Sequence, residues 1–130
     1  MNWRATLNEH FPAALAWSTL VERSNAYLQS LGFTPENTLF SNVVCRDEIN
    51  QSDVDAFARF WGENFNLAGL GGYPAAGVTG FTAYHHHVPD NGNLFVLYGP
   101  HIGITLDGKL GQIERDGMGQ TSSACGALVG

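Results

Sequence analysis

The chain has 130 residues, a length that suits a single domain over residues 1–130. Charged residues make up only 14%, below the roughly 25% that is usual in soluble domains, so we expect some surface to be covered in an oligomer. The net charge of −6 and the presence of only six Lys and Arg argue against nucleic acid or an anionic membrane as a partner. No apolar stretch approaches the ~20 residues that span a bilayer, and the first residues lack the apolar centre of a signal peptide. We therefore expect an intracellular, cytoplasmic protein.

The first third of the chain predicts a helix followed by a central strand. Apolar residues recur at helical spacing from Pro12 to about Leu31, and Gly32 suits a left-handed cap. The uncharged run from Thr38 to Val44 lacks a clean alternation, which is typical of a strand in a sheet covered on both faces. Cys45 follows that strand directly, at the end where the functional sites of α/β sheets gather.

The middle of the chain predicts a second helix and a glycine-rich loop. Ser52 and Asp53 suit the cap of a helix that ends at Gly62. The loop over 67–77 matches neither a phosphate loop nor the dinucleotide fingerprint, but its backbone can approach a ligand or a neighbouring chain closely. The periodicity of 77–87 does not decide between helix and strand.

The last third predicts a second buried strand and a hairpin. Asn93 to Tyr98 forms the strand, and Gly99-Pro100-His101 leaves its carboxyl end. Residues 102–106 and 109–113, joined by Asp107-Gly108, predict a β-hairpin. Alternating strands and helices of this kind indicate an α/β fold with a central sheet flanked by helices.

Two thiols and an imidazole are the candidate ligands of a metal. Cys45 and Cys125 are the only cysteines, and in a reducing compartment such a pair more often serves a metal or catalysis than a lone disulfide. His101 is the preferred third ligand because, like Cys45, it follows a buried strand and lies at the same edge of the sheet. A turn histidine beside a proline is the alternative. Two thiolates and one imidazole suit a tetrahedral zinc site with one vertex open to water.

Several polar and charged residues near this site have more than one possible role. Asp47 is either a metal ligand, an acceptor that orients metal-bound water, or an exposed helix cap. Arg46 and Arg115 either hold Asp47, bind an anion, or are surface charges. In the tract 85–87, adjacent helical side chains point in different directions, so few could face one ion. His87 is kept as a candidate for proton transfer, because an imidazole titrates near neutrality.

Nearly the whole chain, from about His10 onward, carries an ordered and highly specific set of motifs. They are Cys45-Arg46-Asp47-Glu48, Phe65-Asn66-Leu67-Ala68-Gly69-Leu70-Gly71-Gly72-Tyr73-Pro74, His87-Val88-Pro89-Asp90-Asn91-Gly92, Val96-Leu97-Tyr98-Gly99-Pro100-His101-Ile102-Gly103-Ile104, and Glu114-Arg115 with Ala124-Cys125-Gly126. Together they closely resemble the limiting-carbon-dioxide-inducible protein B/C family.

The resemblance implies a β-carbonic-anhydrase-like α/β fold, usually dimeric, with zinc held by two cysteines and a histidine. Carried over, the ligands are Cys45, His101 and Cys125, and Asp47 matches the aspartate that interacts with zinc or its water. The implied activity is the reversible hydration of carbon dioxide to bicarbonate and a proton by zinc-bound hydroxide, with carbon dioxide and bicarbonate as the small-molecule partners.

Two departures from the family pattern qualify that expectation. β-type enzymes place an arginine two residues after the aspartate, where this chain has Ile49, which leaves Arg46 and Arg115 as alternative partners of Asp47. The alternative function is a catalytically inactive member that binds bicarbonate or acts as a scaffolding subunit in carbon concentration. Relatives also continue beyond Gly130, so we interpret the chain as a minimal or C-terminally truncated member.

An apolar pocket for carbon dioxide is also expected, and its candidates lie on the glycine-rich loop and the segment after it. The candidates are Leu67, Leu70, Tyr73 and Phe81.

Overall fold

Three parallel strands form the central sheet of the protein in the computed structural model, which describes residues 2–125. Strand β1 (Thr38–Val44) lies between β2 (Phe65–Asn66) and β3 (Asn93–Gly99). The β1 and β3 strands pair over their full lengths, from Thr38 opposite Asn93 to Val44 opposite Gly99. The segments that follow these two strands therefore leave the sheet at the same edge, as the sequence predicts.

Helices cover both faces of β1, because successive side chains of a strand point to opposite faces. Helices α2 (Trp17–Ser30) and α3 (Gln51–Trp61) pack on one face, where Phe40 and Val44 of β1 join an aromatic core. Helix α4 (Gly77–His86) packs on the other face through Tyr84, which contacts Val43 and Leu67 and donates a hydrogen bond from its hydroxyl to the Leu39 carbonyl at 2.9 Å. The predicted α/β fold with a helix-flanked central sheet is confirmed.

The helix predicted over 12–31 is present as α2 but begins later, at Trp17, and an additional helix, α1 (Trp3–His10), precedes it. Helix α1 forms ahead of Pro12 because it docks on the loop after β3. The Thr6 hydroxyl donates to the Gly108 carbonyl at 2.9 Å, and the Trp3 amide donates to the Leu106 carbonyl at 3.3 Å. Pro12 lies in the turn between the helices rather than in a first helical turn. The predicted left-handed glycine after α2 is present, since Gly32 has φ +89°.

Helix α3 is approached through a 3-10 turn, and this changes its predicted cap. The turn spans Glu48–Asn50, and the carboxylate of Asp47 accepts from the Ile49 amide at its start. Ser52 and Asp53 are therefore already inside the helix, so the predicted cap at these two residues is wrong. The predicted end is right, because Gly62 follows the helix with φ +87°. The longest described helix has 14 residues, and none in the described part of the chain is long and apolar enough to cross a membrane.

Strand β3 differs from the predicted buried strand because only one of its faces is covered. Phe95 and Leu97 pack into the aromatic core beside α3. On the opposite face, Leu94, Val96 and Tyr98 remain 42%, 40% and 65% exposed. The strand therefore presents an uncovered apolar row, although an uncharged parallel strand normally has both faces covered.

The hairpin predicted over 102–113 is reduced to one bridge, between Ile104 and Leu110. Backbone bonds across the turn accompany this bridge, from the Thr105 amide to the Lys109 carbonyl at 3.1 Å and from the Gly111 amide to the Gly103 carbonyl at 2.8 Å. The Thr105 hydroxyl adds bonds to Asp107 and the Lys109 amide within the turn. The following strand β4 (Gln112–Ile113) pairs instead with β5 (Ser122–Ser123), which the sequence analysis did not predict. This antiparallel pair carries the chain back to Cys125.

Candidate metal centre

The three predicted metal ligands lie together at one edge of the sheet. Cys45 directly follows β1, His101 follows β3 by two residues, and Cys125 follows β5 by two residues. One ligand atom from each lies within 4.8 Å of the others. The two cysteines are buried, and His101 is largely covered. Three segments that are distant in sequence thus converge on one cluster of soft and borderline donors.

The geometry of this cluster fits a tetrahedral metal ion. The Sγ atoms of Cys45 and Cys125 are 3.8 Å apart. Two sulfurs that each bind a tetrahedral zinc at about 2.3 Å are separated by roughly this distance, whereas a disulfide would need about 2.05 Å. The Nε2 atom of His101 is buried and has no hydrogen-bond partner within the part of the chain that the structure describes. A metal ion would satisfy that nitrogen, so the residues present fit the group.

Consecutive glycines allow the backbone to reach the first thiol. The Gly71 amide donates to the Cys45 Sγ at 3.1 Å. Gly72 has φ +69°, and a Cβ there would meet the Gly99 carbonyl oxygen at 2.7 Å. Only glycine suits both that backbone conformation and that contact. The glycine-rich loop therefore packs against the turn that leads to His101 within the same chain.

A similar close approach positions the second thiol. A Cβ on Gly103 would meet the Ala124 Cβ at 2.5 Å and the Gln112 carbonyl oxygen at 2.6 Å. The Ala124 amide donates to the Gly111 carbonyl at 2.9 Å. Cys125 then turns into the site with φ +51°. The β4–β5 pair and Gly103 together bring Cys125 beside His101.

Asp47 lies beside the donors and is held by Arg115. The Arg115 Nη2 donates to the Asp47 Oδ2 at 2.7 Å, and the same oxygen is 3.8 Å from the His101 Nε2. The hydrogen bond from Arg115 is the main reason that the pKa of Asp47 is lowered, although burial opposes it. Asp47 is therefore an ionised acceptor at neutral pH, beside the His101 side of the donor cluster.

Arg115 itself is held by groups that the sequence analysis did not single out. Its Nε donates to the Ser122 hydroxyl at 3.3 Å, and its Nη1 pairs with the Glu48 carboxylate. Arg115 comes from the segment after β4, so it reaches Asp47 from 68 residues away in sequence. Spacing alone cannot predict such a pair, since it depends on the β4–β5 pairing.

The two remaining candidates, Arg46 and His87, are both exposed. Arg46 is exposed, and its amide donates to the Gly69 carbonyl at 3.2 Å. His87 follows α4, is exposed, and contacts the ring of Phe65 edge-on at 5.4 Å between centroids. Phe65 is level with Ser41, four residues before Cys45 on β1, or about 13 Å along the strand. The His87 ring is therefore not next to the cluster of Cys45, His101 and Cys125.

The apolar pocket predicted from the glycine-rich loop does not form. Leu67 is 1% exposed and packs in the core under α4, whereas Leu70 and Tyr73 are 64% and 73% exposed. Phe81 lies in an open groove along α4 with Val78 and His85. Alternation and loop composition could not separate core from surface here, because the loop folds back on its own chain.

Comparisons with known proteins identify the family of this chain. A family model described as limiting CO2-inducible proteins B/C β-carbonic anhydrases matches residues 14–130. A comparison with curated proteins finds no significant match.

Solved structures give the same family. The chain is similar to PtLCIB4, a homolog of the limiting CO2-inducible protein LCIB, with 33% identity and a TM-score of 0.93 over 97% of this chain and 53% of that one. A serine-to-arginine mutant of PtLCIB4 matches at 33% identity and a TM-score of 0.85, over 98% and 54%. LCIB itself matches at 32% identity and a TM-score of 0.74, over 95% and 46%. The chain thus spans about half the length of these solved relatives. It belongs to the family of limiting CO2-inducible proteins B/C β-carbonic anhydrases.

Proposed function

We propose that residues 1–130 form one zinc carbonic anhydrase domain that catalyses the reversible hydration of carbon dioxide to bicarbonate and a proton. The observation that carries the proposal is the convergence of Cys45, His101 and Cys125 within 4.8 Å, next to an aspartate in an ion pair. These three residues would hold the zinc. When bound, zinc supplies Lewis acidity that lowers the pKa of a bound water toward about 7.

The residues around the cluster would prepare the nucleophile. Asp47 can only accept a hydrogen bond when it is ionised, so it would orient the attacking oxygen by accepting its remaining proton. Arg115 would fix the position of that carboxylate through the contact at 2.7 Å. Two thiolates cancel the formal charge of Zn²⁺, so this aspartate has more influence on the site than it would beside three neutral imidazoles.

His87 is proposed to carry protons between the domain and solvent. Its imidazole is exposed, and imidazoles exchange protons near neutral pH. Because its ring contacts Phe65, which pairs with β1 at a level about 13 Å before Cys45, proton transfer would need intervening water. Arg46 is proposed to attract the bicarbonate anion at the mouth of the site, since it is exposed and lines a polar pocket next to Cys45.

The alternative function, a non-catalytic bicarbonate-binding or scaffolding subunit, rested on the absence of an arginine shortly after Asp47. The contact between Arg115 and Asp47 weakens that reason, because a guanidinium is available from another segment. No other contact in the described part of the chain favours a non-catalytic subunit over a carbonic anhydrase.

The test is a hydration assay on purified protein of known zinc content. We expect about one zinc per chain, and turnover that is lost with a chelator and regained when zinc is returned. Zinc-loaded protein that does not accelerate hydration over buffer would contradict the proposal and favour the non-catalytic alternative.

We also propose that the chain forms a homodimer whose interface includes the exposed face of β3. Leu94, Val96 and Tyr98 form an apolar row on the outer strand of the described sheet, and such rows mark interaction surfaces. Tyr98 precedes His101 by three residues, so a partner on this face would come close to the metal centre. An obligate interface of this kind should bury upwards of about 2,000 Å².

Val96→Glu should convert the dimer into a monomer, because it places an unpaired charge in the centre of the apolar row. Leu31→Glu is the matched control, since Leu31 is an exposed apolar residue at the end of α2, and this variant should remain dimeric. Sedimentation velocity at micromolar concentration measures the oligomeric state of each variant. A wild-type protein that is monomeric and fully active would contradict the proposed dimer.

A further inference from the structure

The 45–47 segment carries a candidate metal ligand and the aspartate beside it, but it belongs to neither a helix nor a strand. Its backbone is therefore fixed by individual contacts. The Cys45 amide donates to the Gly99 carbonyl at 3.3 Å, at the end of β3. The Arg46 amide donates to the Gly69 carbonyl at 3.2 Å, on the glycine-rich loop. These bonds fix the N–H side of the segment, and its carbonyl groups need donors of their own.

Asn50 supplies donors to the carbonyl groups at both ends of the 45–47 segment. Its side-chain amide donates to the Cys45 carbonyl at 2.9 Å, and its backbone amide donates to the Asp47 carbonyl at 3.0 Å. Because a carbonyl can only accept, the side-chain nitrogen of Asn50 must be the atom that faces Cys45. One residue thus holds the backbone on both sides of Arg46. The side-chain bond depends on the identity of residue 50, whereas the others join backbone groups.

The Asn50 side chain is buried and is attached to a rigid part of the fold. The residue is only 6% exposed, although asparagine is mostly found at the surface. It directly precedes α3, whose residues Val54 and Phe57 pack in the same core as Val44 of β1. Burial of an amide is unfavourable unless it is hydrogen-bonded, and here the bond ends at the carbonyl of a candidate metal ligand. The bond therefore ties the 45–47 segment to a well-packed helix.

A second asparagine beside Cys45 offers a comparison with Asn50. Asn64 lines the same polar pocket, but its side-chain oxygen accepts from the side-chain amide of Asn42. Within the described residues, the hydrogen bonds of its side chain do not reach the 45–47 segment. Loss of the Asn64 amide would therefore remove a contact of the same chemical kind from the same pocket without releasing that segment.

We propose that Asn50 is a positioning residue of the metal centre, which sets the placement of the Cys45 thiol and the Asp47 carboxylate through the backbone. The inference rests on the proposed function, since it concerns the same zinc site. Release of the Cys45 carbonyl would let the thiol and the carboxylate shift together, because both side chains belong to the segment that Asn50 holds. Contacts outside the ligand shell typically contribute about 10- to 100-fold to metal affinity or activity at such sites.

The test is Asn50→Leu, which keeps the approximate size of the side chain and removes the donor. We expect its zinc affinity to fall by about 10- to 100-fold, measured by competition with a chelator. The visible spectrum of cobalt-substituted protein is a second measure, because it reports the geometry of the metal site without any need for turnover. We expect the spectrum of Asn50→Leu to differ from that of the wild-type protein. Asn64→Leu is the matched control, and it should keep the wild-type zinc affinity and spectrum.

Asn50→Ser is the second variant, because its short polar side chain admits water but does not reach the Cys45 carbonyl. It should lose zinc affinity in the same direction as Asn50→Leu. Wild-type affinity and an unchanged cobalt spectrum in either folded variant would overturn the inference, and so would an equal loss of affinity in Asn64→Leu. If neither Asn50 variant folds, the residue supports the whole domain rather than the metal centre, which also overturns the inference. The expected losses of affinity in a protein whose zinc-loaded wild type does not hydrate carbon dioxide would support the inference and count against the proposed function.

Discussion

Serine in place of either Cys45 or Cys125 should abolish stoichiometric zinc binding. Loss of a hydrogen-bonding partner outside the ligand shell typically costs 10- to 100-fold in metal affinity, so loss of a thiolate ligand should cost well over ~100-fold. Both thiols are buried, and their Sγ atoms are 3.8 Å apart, so no solvent-exposed group can take their place without rearrangement. Metal analysis after dialysis and competition with a chelator give the affinity directly.

The histidines provide the matched control for this experiment. His101→Ala should lose zinc in the same way, because its Nε2 lies in the donor cluster. His87→Ala should keep zinc, because its ring lies against Phe65 and away from the donors. Metal binding is coupled to folding at such sites, so thermal unfolding must be measured on each variant. Full zinc content in a folded Cys45→Ser or Cys125→Ser protein would remove that residue from the site.

The sequence predicts best those elements that one local signal determines. The uncharged run Thr38 to Val44 forms β1 with the predicted bounds and lies at the centre of the sheet. Gly32 and Gly62 end their helices with positive φ, because glycine is the residue that adopts this conformation without strain. The edge of the sheet where Cys45 and His101 meet follows from the parallel pairing of β1 with β3.

The sequence predicts less well those elements that depend on distant contacts. Helix α1 is stabilised by the loop around Gly108, and this contact cannot be read from residues 3–10 alone. The predicted hairpin keeps its pairing next to the turn, but Gln112 and Ile113 pair with β5 instead. This pairing with a distant segment shortens the two strands that the sequence predicts.

The candidate site shows the same division. Cys45 and His101 are predicted as metal ligands from residue type and from their positions after strands, whereas Cys125 is predicted only as the second of the two thiols. The resemblance to the family names the same three residues. The arginine that contacts Asp47 does not follow, because Arg115 approaches through the β4–β5 pair and is also held by Glu48 and Ser122. A family pattern that expects the arginine two residues after the aspartate cannot locate a partner that comes from another segment.

Asp47→Asn should slow hydration by about 10-fold or more while zinc remains bound, the scale of lost support outside the ligand shell. Asparagine keeps the size of the side chain and the acceptor for the Ile49 amide, but it removes the charge that would orient the attacking water. Asp55→Asn is the matched control, since Asp55 is exposed on α3 and should leave turnover unchanged. Stopped-flow hydration rates and zinc content are measured on the same samples.

Arg115→Met should reproduce most of this loss, because the Asp47 carboxylate would no longer be held in place at 2.7 Å. Arg115→Lys should recover only part of the rate, since an ammonium cannot contact Asp47, Glu48 and Ser122 in the fixed geometry of a guanidinium. If the two residues act as a unit, the double variant should be little slower than either single variant. Arg46→Met distinguishes the two alternative arginines. If Arg115 is the partner of Asp47, this variant should keep the wild-type turnover.

Unchanged turnover of fully metallated Asp47→Asn across the neutral pH range would show that the carboxylate does not orient the water. Loss of zinc from that variant would instead make Asp47 a metal ligand, and the resting site would then be closed to water.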